Sequence, residues 1–79
     1  MKYYAVVYEG PSNPGDNWSA YVPDLSGLIA TGSTRAECEA LMAEGIPFHI
    51  EGLIENGDPV PPPTSEVGYL PVEHLQVAA

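Results

Sequence analysis

Seventy-nine residues carry eleven acidic side chains against two basic ones, a formal net charge of −9. Lys2 and Arg35 are the only cations, which excludes the clustered basic side chains that neutralise nucleic-acid phosphates, so no direct nucleic-acid binding is expected. One cysteine cannot make an internal disulfide, no apolar run approaches a membrane span and no charged-then-apolar leader is visible, so the expectation is a soluble, cytoplasmic protein with one domain over residues 1–79.

Residues 2–9 (KYYAVVYE) are rich in strand formers and read as the first strand. Tyr4, Val6 and Tyr8 fall on one face and Tyr3, Ala5 and Val7 on the other, both apolar, as in a strand covered on both sides. Residues 10–17 are turn formers and read as a hairpin loop; they lack the lysine and glycine spacing of a phosphate-binding loop.

Residues 17–22 alternate as a second strand that Pro23 ends. Asp24, Ser26 and Gly27 supply turn chemistry, with the Asp24 carboxylate read as bonding the turn backbone. Residues 27–31 read as a third strand. Trp18, Ala20, Val22, Leu28 and Ala30 should share one face, and Ser19, Tyr21, Ile29 and Thr31 the other. Small Ala20 and Ala30 admit close approach, which puts the helix on their side.

Thr34-Arg35-Ala36-Glu37 fits a capping box opening a helix over about residues 35–55. Cys38, Leu41, Met42, Ile46, His49, Ile50 and Leu53 fall near one apolar stripe, with Glu37, Glu44, Glu51 and Glu55 on the solvated side. Gly45-Ile46-Pro47 predicts a kink with continued helix; two helices broken at Gly45 is the alternative. Asn56-Gly57, then Pro59, stops it. Residues 60–65 (VPPPTS) read as a stiff extended connector, residues 67–72 as a fourth strand, and residues 75–79 as its continuation or a tail.

The ordered set Pro23-Asp24-Leu25-Ser26-Gly27, Thr31-Gly32-Ser33-Thr34-Arg35-Ala36-Glu37, Glu44-Gly45-Ile46, His49-Ile50-Glu51-Gly52-Leu53, Gly57 and Pro59-Val60-Pro61-Pro62-Pro63 resembles the HicB-like antitoxin family over roughly residues 2–63. The resemblance implies an α+β, β-β-β-α-β architecture. This is a partial RNase H-like fold, with one long kinked helix on one face of a mostly antiparallel sheet and the fourth strand parallel beside the first. It also implies a non-catalytic antitoxin that binds and occludes a small basic ribonuclease toxin of the HicA type. Many relatives add a C-terminal DNA-binding module; the sixteen residues after Pro63 hold no Lys or Arg, so operator binding is not carried over and a short, solitary member is expected. Leu28 stands where many relatives have cysteine.

The side chains themselves give chemistry little footing. Two-metal phosphoryl transfer needs converging carboxylates, and Glu9 and Asp24 sit only at strand ends or turns. Cys38 and His49 lie eleven residues apart on one helix, about 16 Å at 1.5 Å per residue, too far to share a metal. Cys38 reads as a small buried hydrophobe and His49 as a core or edge residue; His74 has no readable partner. No catalytic residue, metal or cofactor is expected.

One helix covers one sheet face, so the other should drive homo-oligomerisation, as a twofold dimer, through Tyr4, Val6, Tyr8, Tyr21 and Ile29. The acidic surface suits a basic partner, with Trp18, Tyr21, Glu37, Glu44 and Glu51 as candidate contacts. The alternative function is a solitary oligomeric binding or regulatory module with no toxin.

Overall fold

The computed structural model describes residues 2–73. His74 and the expected tail over residues 75–79 lie outside the described residues. Three strands, β1 (Val7–Glu9), β2 (Trp18–Val22) and β3 (Leu25–Gly32), form an antiparallel sheet in the order β1-β2-β3, followed by one helix, α1 (Arg35–Glu55). The α+β arrangement agrees with the sequence reading.

Strand alternation sorts the sheet into two faces. Tyr8, Ala20 and Ala30 stand opposite one another on the helix side, and Val7, Tyr21 and Ile29 make the matching row on the open side. Ala20, Val22, Leu25, Ala30, Cys38 and Met42 form the buried core. Tyr4, Val6, Tyr8, Trp18, Leu28, Ile46, Ile50 and Leu53 pack around it. The helix therefore lies on the alanine side, as the small side chains require.

The β2–β3 hairpin is tighter than expected. Val22 faces Leu25, where unbroken register from Tyr21↔Ile29 would put Leu28 opposite. Pro23 and Asp24 alone make the turn, and Ser26-Gly27-Leu28 is accommodated as a bulge with Gly27 at φ 86°. The bulge turns Leu25, read from sequence as part of a turn, into a fully buried core residue.

Three expectations change. The first strand is laddered only over Val7–Glu9, and residues 2–6 run on outside the ladder. The fourth strand over residues 67–72 does not form: those residues join no ladder, so the described order is β-β-β-α. Strand propensity in Val67, Tyr69 and Val72 does not suffice where Gly68 and Pro71 interrupt and no sheet edge lies alongside. Leu41, placed on the buried stripe, is 48% exposed, because it sits about 100° round the helix from Met42, on the flank of the stripe.

The helix is one unbroken element through Gly45-Ile46-Pro47 rather than two. Thr34 caps it, its hydroxyl accepting from the Glu37 N–H at 3.1 Å. Glu37 reaches back one residue further than a capping box predicts, accepting from both the N–H (2.6 Å) and the hydroxyl (2.8 Å) of Ser33. At the other end the Gly57 and Asp58 N–H groups bond the carbonyls of Ile54 and Leu53, a Schellman stop with Gly57 at φ 73°.

Candidate functional site

Glu37, Leu41, Glu44, Phe48, Glu51 and Glu55 follow one another at alternating spacings of four and three, so they share a single stripe of α1. All six are exposed, and the stripe faces away from the sheet. Phe48 is 78% exposed at its centre, with Leu41 one stretch earlier and glutamates between and beyond them. The arrangement is an apolar pair set in a carboxylate frame. It opposes the helix's own stability. Glu51 and Glu55 are like charges at i, i+4 near the negative end of the helix dipole, and the last turn has no basic residue to offset them.

Glu37 has a second task in this stripe. Its bonds to Ser33, side chain first and backbone next, hold its carboxyl below the usual carboxylate range. Arg35, one of the two cations, is engaged elsewhere. Its guanidinium stands 4.7 Å from the Tyr8 ring centre, and its Nε lies 3.0 Å from Glu39. Burial, then the charge of Glu39, pushes the Tyr8 phenol up, with Arg35 opposing.

On the opposite side of the molecule the sheet face is open. Tyr21 and Ile29 are exposed there. Among the expected oligomer contacts only these two, Tyr21 and Ile29, lie on that face; Tyr4, Val6 and Tyr8 turn the other way and pack against the core. Of the expected partner contacts, Glu37, Glu44 and Glu51 share the helix stripe. Trp18 is half-buried against the core, and Tyr21 is on the far face, so the five are not one surface.

A third feature was hidden in the sequence. Asp24, at the β2–β3 turn, does not bond the turn backbone. It accepts from the N–H groups of Thr64 (3.0 Å) and Ser65 (2.9 Å) and from the Ser65 hydroxyl (2.7 Å). The Ser65 backbone bond, then its side-chain bond, holds the Asp24 carboxyl below its ordinary range. The Tyr4 hydroxyl donates to the Pro61 carbonyl, a second tether on the same segment. Nothing local marks Thr64 and Ser65; the only sequence signal is an aspartate in a turn that needs no side-chain help.

The motif residues thus have distinct physical roles: Asp24 as latch, Leu25 as core, Gly27 as bulge, and Gly32, Thr34 and Glu37 as helix start. A Cβ at Gly32 would lie 2.8 Å from the Glu37 Cβ, so glycine is what lets the capping glutamate fold back. Residues 4–74 match the family described as HicB-like antitoxin of bacterial toxin–antitoxin system. The chain belongs to the HicB-like antitoxin family. The match runs past the helix into the segment that Asp24 holds, so the latch lies within the HicB-like unit. A curated relative, an uncharacterized 14.9 kDa protein in the rep-hol intergenic region of Haemophilus phage HP1, is 37% identical over 46 residues. That alignment takes in 58% of this chain and 35% of the phage protein, so the HicB-like chain matches only about a third of that relative's length. No solved structure matches it. No helix among the described residues is long and apolar enough to cross a membrane.

Proposed function

We propose that this HicB-like protein neutralises a small basic ribonuclease toxin of the HicA type by covering its RNA-binding face. The outward stripe of α1 is the docking surface, and the chain performs no chemistry of its own. The observation that supports this reading is Phe48, 78% exposed and framed by Glu44 and Glu51. An apolar anchor inside a carboxylate ring fits a basic surface with an apolar centre. Positive side chains of the toxin would also relieve the unpaired repulsion between Glu51 and Glu55. Partial RNase H-like kinship, a cytoplasmic location and a homodimer belong to the same reading. The solitary oligomeric module is the second reading, and the exposed Tyr21–Ile29 face is what favours it.

Co-expression with the product of an adjacent gene encoding a short basic chain is the test. The full protein should restore growth, and Phe48→Glu should abolish rescue while leaving the fold intact. Failure of the unaltered protein to relieve arrest removes the toxin reading.

A further inference from the structure

Residues 66–73 (EVGYLPVE) form an apolar segment that pairs with no strand among the described residues. Val67 and Val72 are more than half exposed, and Tyr69 and Leu70 are each 89% exposed. Glu66 and Glu73 bound the window, and no charge lies between them. Scattered exposed apolar side chains are ordinary; four within six residues are not. The segment leaves the body beyond the Asp24 latch, and among the described residues no backbone hydrogen bond ties it to the sheet. The molecule accordingly measures 48 Å along its longest axis and has a radius of gyration of 15.2 Å, against about 12 Å for a compact chain of this length.

The sheet has a vacancy of matching character. The order β1-β2-β3 leaves outer edges on β1 and β3. The β3 edge is guarded, because the Ser26–Leu28 bulge breaks its hydrogen-bonding row. The β1 edge is not: neither Val7–Tyr8 nor the run from Tyr3 that leads into them carries a proline, glycine or charge, and Glu9 at the strand's end is the first. Its side chains are apolar on both faces, so a strand laid beside it would bury surface above and below the sheet.

We infer that two copies of this chain exchange their 66–73 arms, each arm adding as a strand to the outer edge of the partner's β1. This deepens the homodimer proposed above and is independent of the toxin. The exchange is reciprocal, as twofold symmetry requires. Pro71 suits an edge strand, which leaves one side unpaired. The proline-rich run before the arm, pinned at Ser65, is too stiff to fold the arm back and so holds it outward. Because each copy carries −9, repulsion opposes pairing, and the apolar arm must overcome it; added salt should therefore tighten the dimer.

Sedimentation equilibrium of the full chain at micromolar concentration, at low and high salt, tests this beside Tyr69→Glu/Leu70→Glu and Ile29→Glu. The unaltered chain should be a dimer, tighter in high salt. The arm variant should be monomeric and still unfold cooperatively, with a melting midpoint that no longer depends on concentration, since neither side chain packs in the monomer. Ile29→Glu, on the open face, should stay dimeric. Isotope-filtered NOEs in a mixed labelled and unlabelled sample should connect the arm of one copy to residues 3–7 of the other. A dimer that survives the arm variant, or that Ile29→Glu dissolves, overturns arm exchange and leaves dimerisation standing. A monomeric unaltered chain overturns both.

Discussion

Asp24 and Ser65, forty-one residues apart, are joined twice: the Ser65 N–H and hydroxyl each donate to the Asp24 carboxylate, at 2.9 and 2.7 Å. The contact closes the molecule's end, fixing the segment after the helix against the β2–β3 turn. Asp24→Ala should release Thr64 and Ser65 while the β2–β3 ladder stays paired, because the carboxylate's bonds run to those two residues and not into the sheet. Hydrogen exchange at the Thr64 and Ser65 amides should accelerate about tenfold or more, with the β2–β3 amides unchanged. Equal acceleration across the sheet would mean that the turn itself depends on Asp24.

The same latch is a pH device of known sign. Asp24 is held below its unfolded value, so its contribution is fully present above that value, about 4, and is lost as pH falls through the folded one. Carboxyl titration by NMR should give Asp24 a lower midpoint than an exposed aspartate. Ser65→Ala should move that midpoint upward.

Gly32 and Glu37 make the helix start a steric arrangement as well as a hydrogen-bonded one. Gly32→Ala puts a methyl 2.8 Å from the Glu37 Cβ and displaces the glutamate from Ser33. Urea unfolding should show a larger loss for Gly32→Ala than for Thr34→Ala, where losing the cap costs about 1 kcal/mol. The reverse order would show that Glu37 has room to move aside.

Met42 and Cys38 stand at the centre of a core of six buried side chains among the described residues. Met42→Ala should cost about 2–5 kcal/mol, enough to unfold much of a domain this small. The Cys38 thiol, with no exposed surface, should react with thiol reagents only as fast as the protein unfolds.

Glu51 and Glu55 give the docking stripe a built-in conflict. Glu55→Lys should raise the melting midpoint of the isolated protein by roughly 3–8 °C, by turning a repulsive i, i+4 pair attractive and complementing the helix dipole. The same change should weaken toxin neutralisation in the co-expression assay. A variant both less stable and fully active would separate the stripe from function.

The sequence by itself determined what depends on neighbours along the chain. Alternation in Trp18–Val22 and around Leu28–Ala30 assigned the sheet faces, because strand geometry leaves each side chain only two directions. Thr34 and Gly57 marked the helix ends, because caps are local. The recurring glutamates of α1 placed its solvated side for the same reason. What only the tertiary structure decided depends on distance in space. The bulge that buries Leu25 follows from pairing with Val22, which no local pattern encodes. Asp24 looked like an ordinary turn residue until its partners proved to be Thr64 and Ser65. Tyr4, Val6 and Tyr8 were apolar on either reading, and only the position of the helix assigned them to the core. The segment 67–72 had a strand's composition but no edge beside it, and a strand exists only where another backbone completes its hydrogen bonds.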